Sequence, residues 1–251
     1  MIDVISYGAC GRMGRLIINK VVSSKDLNLI GAIADDDDPD QGKDIGVVIG
    51  MGEVGVSVTP CSKLSRSFEN GKRDKVIIDF TNPKATMEQV RASFGYGVNG
   101  VIGTTGLSRG QLEEIEKIVK ANGTSFVLSP NFSVGMNIFW EVSRLLAQHL
   151  EDYDVEIVEA HHKMKKDSPS GTAKKIAEIV SEGKKIPIHS IRAGDIAGDH
   201  GLIFAGAGER IELVHQAHSR DCFASGTIRA ARWVAEKRDG RVHSMKDVLG
   251  I

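Results

Sequence analysis

The sequence predicts an α/β protein, with a parallel-sheet domain joined to a smaller α+β domain that carries a mixed sheet. Three features carry that prediction. Over the first 130 residues, short apolar runs alternate with amphipathic stretches. Gly8, Gly11 and Gly14 lie between the first apolar run and the first amphipathic one. After Asn131 the apolar runs follow one another with fewer helices between them. Strands separated by helices pair in parallel and are covered on both faces, whereas strands in direct succession build mixed or antiparallel sheets.

Ile2–Tyr7 is a short apolar strand, and Met13, Leu16, Ile17 and Val21 give helical spacing to Arg12–Ser23. Leu27–Ala34 is the next strand and runs into Asp35-Asp36-Asp37-Asp38. Val76–Phe80 reads as a buried strand, after which Asn82-Pro83 supplies a polar cap and a proline at the first helical position. Val98–Ile102 is a strand with Gly103-Thr104-Thr105-Gly106 as its exit loop. Ser108 and Gln111 form a capping box for a helix to about Lys120, and Phe126–Leu128 closes the series. Beyond Ser129-Pro130-Asn131, Val134–Leu150 is one long helix carrying Trp140. Asp154–Ala160 is a strand, Gly171–Glu182 a helix, and Ile188–Ala193, Gly201–Ala207 and Arg210–Ala217 are strands. Thr227–Lys237 is a last helix able to pack back on the first domain. The domain limits expected are 1–130 with 219–251 for the first and 131–218 for the second.

Of the 251 residues, 41% are hydrophobic and 26% charged, as in an ordinary globular protein. A formal net charge of −1 offers no electrostatic case for a nucleic-acid or membrane-surface partner. Cys10, Cys61 and Cys222 are odd in number and far apart, without metal-ligand spacing, which suits a reducing cytoplasm. Cys10 and Cys222 are expected to be reduced and buried, with no catalytic part. The first residues form a strand rather than a leader, and no apolar run reaches the ~18 residues of a membrane span. A cytoplasmic setting is the expectation.

Gly8-Ala9-Cys10-Gly11-Arg12-Met13-Gly14 joins a strand directly to a helix. Glycine permits a tight turn and a close backbone approach to a pyrophosphate, whose charge the helix N-terminus stabilises. Cys10 replaces the second glycine of the usual fingerprint, so the cluster alone also fits a plain strand-to-helix turn. Its context argues for a dinucleotide, because Asp35 follows about 20 residues on, where a carboxylate accepts hydrogen bonds from a ribose. The adjacent Asp35 and Asp36 repel a 2′-phosphate and favour NADH over NADPH, while Arg12 could offset that by reaching the phosphate. Gly103, Thr104 and Thr105 leave a later strand at the rim where ligands sit in open α/β sheets, although an ordinary loop would look the same.

Residues 159–173, Glu-Ala-His-His-Lys-Met-Lys-Lys-Asp-Ser-Pro-Ser-Gly-Thr-Ala, concentrate the remaining chemistry. Imidazole carries a proton near neutral pH, lysine holds an anion, and open N–H groups at a helix start hold another. A site that protonates a small dianion needs those three parts. His161 and His162 are consecutive at a strand end, so they face opposite sides and can take different roles. An isolated histidine is usually a hydrogen-bonded structural one, and a lysine run usually a solvated face. Here Lys163, Lys165 and Lys166 precede a Ser168-Pro169-Ser170-Gly171-Thr172 helix start, whose backbone N–H groups, with the Ser170 and Thr172 hydroxyls, make a carboxylate cradle. Zinc on the paired histidines lacks a third ligand at standard spacing, so no metal is expected.

GACGRMG at 8–14, DFT at 79–81, GTTG at 103–106, NFSVGMN at 131–137 and EAHHKMKKDSPSGTA at 159–173 resemble dihydrodipicolinate reductase. The likeness runs from residue 2 to the Lys246-Asp247-Val248-Leu249 end, and the His-His-to-Ser-Gly-Thr block is highly specific to that family. The resemblance implies a Rossmann-type domain, a smaller domain for substrate binding and oligomerisation, and a homotetramer. It implies binding of NAD(P)H through Gly8, Ala9, Cys10, Gly11, Arg12, Met13, Asp35, Gly103, Thr104, Thr105, Ser129, Pro130, Asn131 and Phe132. Arg220 and Phe223 look like the segment that returns to the nicotinamide. His161 matches the family's proton donor and Lys165 its second donor, while His162, Gly171 and Thr172, with Ser170 beside them, match positions that bind a dicarboxylate substrate. Pro130 stands where relatives often have a small residue, a tolerable change where backbone atoms do the binding. Asp36 stands where many relatives have a basic residue, which again favours NADH.

The reaction so implied is hydride transfer from the nicotinamide to C4 of a cyclic conjugated imine, on the route to diaminopimelate and lysine, with the proton from His161 and Lys165. The two domains are expected to close so that water is excluded. Two other readings stay open: a Rossmann-type reductase for another imine or amino acid, and a non-catalytic dinucleotide sensor. The first has no reason to carry both the His-His block and the Ser-Gly-Thr start. The second needs no proton donor.

Overall fold

The computed structural model describes residues 1–69, 74–181 and 183–251. The chain divides into two units, Met1–Ser133 with Phe223–Ile251, and Val134–Cys222. In chain order the first stretch holds β1 (Ile2–Tyr7), α1 (Arg12–Val22), β2 (Leu27–Ala34), α2 (Ile45–Ile49), β3 (Val58–Pro60), a 3-10 turn at Cys61–Lys63, and α3 (Leu64–Glu69). It continues with β4 (Lys75–Asp79), α4 (Pro83–Ala92), β5 (Asn99–Ile102), α5 (Arg109–Asn122) and β6 (Phe126–Leu128). The second unit holds α6 (Val134–His149), β7 (Asp154–His161), α7 (Gly171–Val180), β8 (Ile188–Arg192), β9 (Asp199–Gly206) and β10 (Glu209–Gln216). After it come α8 (Asp221–Ala235), β11 (Val242–His243) and α9 (Met245–Leu249). The last residue of the helix expected to reach Glu182 lies outside the described residues.

Among the described residues, the first unit's sheet has seven strands in the order β11-β6-β5-β4-β1-β2-β3, all paired in parallel. The α/β expectation is borne out. Alternate strand residues feed opposite layers. Val4, Val76, Ile78, Val101 and Val127 pack under α1 and α8, whereas Ile5, Ile77, Ile102 and Phe126 pack under α3, α4 and α5. The strand order reverses between β1 and β4. In such sheets the crevice beyond the carboxyl ends of those two strands is where a ligand sits.

The second unit has a four-stranded sheet in the order β10-β9-β7-β8, antiparallel except for the parallel β7–β8 pair. It is mixed, as expected. Ile157, Leu202 and Phe204 face α6 and α7 through Phe139, Trp140, Ala173, Ile176 and Val180.

Three expectations are corrected. The last helix starts at Asp221, not Thr227, because the Ser219 hydroxyl accepts the Asp221 N–H at 3.1 Å and the apolar face already begins at Ala224. Cys10 and Cys222 are half-exposed, not buried: Cys10 lies in the turn before α1 and Cys222 in the first turn of α8. Between Asp40 and Val76 the sequence reading assigns no element, yet α2, β3 and α3 lie there. That region is organised by one carboxylate. Asp44 caps α2 through the N–H groups of Gly46 and Val47 and also accepts from Val54, Gly55 and Val56 at 3.1, 2.7 and 3.1 Å.

Candidate active site

The glycine turn closes over the end of β1. Gly8 has φ +81°, and a Cβ there would lie 2.8 Å from Thr81 Cγ2, so a side chain is excluded by both strain and space. The Gly8 and Ala9 N–H groups bond to Ile33 O at 2.9 and 2.8 Å, which ties the turn to β2. A Cβ on Gly14 would lie 2.2 Å from Gly8 O, so Gly14 lets α1 press against the turn. Gly11 is the N-cap of α1 and contributes no side-chain acceptor, so the first N–H groups of this helix are available to an anion. Ala9 is fully buried and Arg12 exposed, with Met13 half-buried. Arg15, which the sequence reading passed over, supports the turn by donating to Cys10 O at 2.8 Å and to Val48 O at 3.0 Å.

A cleft of about 300 Å³ opens beside this turn, lined among others by Tyr7, Gly11, Asp35, Cys61, Phe80 and Thr81. It lies at the carboxyl ends of β1, β2 and β4, the switch point of the sheet. Asp35 is exposed just past the end of β2. Asp36 is turned to the 3-10 turn, where its carboxylate accepts from Ser62 N at 2.9 Å and from Cys61 Sγ at 3.1 Å. Those bonds hold the Asp36 carboxyl below its usual range. The Cys10 thiol is raised to about 11, by burial first and then by Asp38, so it is no nucleophile at neutral pH.

The other two cofactor segments rest on buried polar anchors. Asp79 Oδ1 accepts from Thr81 N at 2.9 Å and Thr81 Oγ1 at 2.6 Å, and the Thr104 hydroxyl also reaches it at 3.3 Å. Thr104 is thereby committed to the scaffold, whereas Thr105 is exposed. A Cβ on Gly103 would lie 2.2 Å from the Phe80 ring, so glycine is required there. The Ser129 hydroxyl donates to Asn131 O at 2.8 Å, Pro130 is exposed, and the buried Phe132 ring meets Phe80 at a tilt, with ring centres 5.5 Å apart. The uncapped helix, the cleft and the aspartate at the strand end fit a dinucleotide.

In the second unit, His161 ends β7 and is 8% exposed, while His162 just beyond it is half-buried. His161 Nδ1 is 2.5 Å from Glu159 Oε2. Glu159 is fully buried and receives two bonds from Arg192, at 2.9 and 2.8 Å, and the Ser170 N–H at 3.3 Å. Burial alone would raise this carboxyl, but bonds from Arg192, Ser190, His161 and Ser170 outweigh it and hold it at about 2. Burial also lowers His161, more than Glu159 raises it.

The Ser170 hydroxyl turns inward rather than toward a ligand. It caps α7 by accepting the Ala173 N–H at 3.1 Å and meets His200 Nε2 at 3.3 Å. The open part of the cradle is therefore Gly171, which is exposed, and Thr172, which is half-buried. Lys165 follows His162 on a turn and pairs with Asp167 at 2.8 Å. Arg220 is exposed on the turn before α8, and Phe223 is half-buried in its first turn.

Glu159, Arg192, Gly198 and His200 were given no role on sequence grounds. Glu159 carried a signal, since a residue two before His161 on a strand shares its face. Arg192 and His200 come from register alone, opposite His161 and Glu159 respectively.

A helix start open to a pyrophosphate at a sheet switch point, with a buried histidine beside a second open helix start, defines a nicotinamide-dependent oxidoreductase. Residues 2–132 match the family model for the dihydrodipicolinate reductase N-terminus, and residues 135–249 the model for its C-terminus. The chain is 44% identical to the 4-hydroxy-tetrahydrodipicolinate reductase of Methanothermobacter thermautotrophicus over 273 aligned positions, covering all of both chains. It is 43% identical to that of Methanocaldococcus jannaschii, over all of this chain and 98% of the other. Among solved structures, dipicolinate-bound dihydrodipicolinate reductase from Paenisporosarcina sp. TG-14 superposes with TM-score 0.79, at 26% identity over 97% of each chain. The chain belongs to the dihydrodipicolinate reductase family. Its activity is that family's, reduction with a nicotinamide cofactor on the route to diaminopimelate and lysine.

Proposed function

We propose that the chain reduces 4-hydroxy-tetrahydrodipicolinate, or its dehydrated form dihydrodipicolinate, to tetrahydrodipicolinate, with His161 and Lys165 delivering the proton. The observation that carries this reading is His161 itself, a buried imidazole held on one nitrogen, next to the α7 start. A nicotinamide bound there would supply a hydride to C4 of the conjugated ring, which the 4-hydroxy form reaches by loss of water. Negative charge then spreads through the ring and must be met by a proton. His161 gives that proton, and Lys165 resupplies it. The Gly171 and Thr172 N–H groups, the Thr172 hydroxyl, His162 and Lys165 hold the carboxylates. Dipicolinate, the molecule in the Paenisporosarcina structure, has the same two carboxylates on a six-membered ring.

The cofactor is held by the Gly8–Met13 turn, Asp35, Gly103–Thr105 and Ser129–Phe132, with Arg220 and Phe223 assigned to it on resemblance. NADH is favoured over NADPH because Asp36, pinned by Ser62, keeps a fixed negative charge next to Asp35. The unit Val134–Cys222 is the substrate-binding and oligomerisation domain of a homotetramer, and the rest of the chain binds the dinucleotide.

The test is cofactor oxidation with substrate generated in place from pyruvate and aspartate semialdehyde by dihydrodipicolinate synthase. Synthase-dependent oxidation of NADH, faster than that of NADPH, is the expected result. His161→Gln should lower kcat by about 10²–10⁴-fold with NADH binding retained. NADH binding without oxidation in the unaltered protein would overturn the substrate assignment in favour of a sensor.

A further inference from the structure

We propose that Glu159 is the positioning residue for His161, fixing Nδ1 as the protonated nitrogen so that Nε2 is the atom that exchanges the proton with substrate. The proposal rests on the reading of His161 as proton donor. Glu159 and His161 are two apart on β7 and therefore share the face that packs toward α7. The contact at 2.5 Å lies beneath a carboxylate with no solvent exposure.

Arg192 decides what that contact means. It lies opposite His161 in the β7–β8 register and grips both Glu159 oxygens, at 2.9 and 2.8 Å. It is itself fixed by donating to Asp167 O and Ile191 O, both at 2.7 Å. A buried carboxylate clasped in this way stays ionised, and an ionised carboxylate only accepts hydrogen bonds. Nδ1 must therefore be the donor. The neutral ring then has its lone pair on Nε2, and the charged ring its transferable proton there.

The surroundings of Nε2 agree. A Cβ on Gly198 would lie 3.1 Å from Nε2 and 3.4 Å from Cδ2, so the lack of a side chain at 198 leaves that nitrogen approachable. From β9, His200 meets the ring edge-on at 5.3 Å between centroids, and its own Nε2 is engaged with the Ser170 hydroxyl. His215 of β10 bears on His200, and Lys165 on His161, from the remaining sides. Through its other oxygen Glu159 also accepts the Ser170 N–H, at 3.3 Å. One carboxylate thus joins the proton donor to the N-cap of α7, so that the ring and the anion cradle keep a single geometry.

The test uses Glu159→Gln, the double variant Glu159→Gln/Arg192→Met, which removes the charge that Glu159→Gln strands, and His161→Gln for comparison. Nitrogen NMR of the imidazoles in the unaltered protein reports the tautomer without any substitution. The neutral His161 ring is expected to carry its proton on Nδ1. Both Glu159 variants should lose about 10²-fold in kcat with NADH affinity unchanged, and the pH limb belonging to His161 should move to lower pH. A merely structural carboxylate would leave that limb in place. If His161→Gln keeps its rate, the reading of His161 fails, and with it this proposal. If His161→Gln is inactive while the Glu159 variants keep rate and pH limb, or the neutral ring is protonated on Nε2, the assignment of Glu159 alone is overturned.

Discussion

His161 and His200, whose rings lie 5.3 Å apart, are both held below the ordinary imidazole value by burial, and this fixes two pH dependences. Burial is the foremost cause that holds His161 below the ordinary imidazole value in the free protein. A bound dianion acts in the opposite sense, because negative charge nearby favours the imidazolium. Activity needs the protonated ring, so it falls as pH rises through the pKa of His161. The alkaline limb of kcat/KM, which reports the free enzyme, is therefore expected at lower pH than that of kcat, which reports the complex. Initial rates with saturating NADH check this, and limbs in the reverse order would contradict it. His200 is pushed down to about 4 from 6.5, by burial first and then by His161 and His215. The unfolded chain thus binds the extra proton across that window, and stability drops as pH falls through it, by an amount on the order of 3 kcal/mol for a shift of that size. His200→Gln should flatten this acid loss, measured as urea midpoints above and below the window.

At the level of helices and strands, two glycines show what could be read from the chain and what could not. Gly14 was legible, because its spacing from Gly8 and Gly11 after a strand has a known steric purpose. Gly226 was not, since glycine weakens a helix interior and argues locally against the helix that contains it. Its reason is distant in sequence: a Cβ there would lie 1.7 Å from Phe132 O, on the loop after β6. Gly226→Ala is expected to cost about 3 kcal/mol or more by overpacking this contact. Gly110→Ala, in α5 with nothing within 4 Å of the added carbon, should be neutral or gain up to about 1 kcal/mol. Thermal unfolding of the two variants separates the cases. The same distinction runs through the site. The Gly turn, the His-His pair and the helix start at Ser170-Gly171-Thr172 are local patterns, and the sequence shows them, though not that the Ser170 hydroxyl turns inward to cap α7. Arg192 and His200 reach Glu159 and His161 only through strand register, and the short elements between Asp40 and Val76 depend on Asp44 gathering five N–H groups, which no periodicity announces.

For the molecule as a whole, the sheet of the second unit poses a question of solvation. Val155, Ile157, Leu202, Phe204 and Leu213 pack on the side of α6 and α7. By alternation, the other face presents Val158 and Ala160 of β7, Ile191 of β8, Ile203 and Ala205 of β9, and Val214 of β10. Ile191 is 47% exposed and Val214 59%, and no helix of the described residues within this unit packs on that side. Apolar residues spread over four adjoining strands are costly to leave in water, and a sheet face repeated in identical copies is self-complementary under two-fold symmetry. The proposed homotetramer covers this face with the same face of other copies. Sedimentation equilibrium of the unaltered chain is then expected to give four copies. Val214→Asp and Ile191→Asp, which would bring buried like charges together across the symmetric contact, should give a smaller species that still binds NADH through its first unit. A monomeric unaltered chain, or aspartate variants that remain tetrameric, would show that this face does not hold the assembly together.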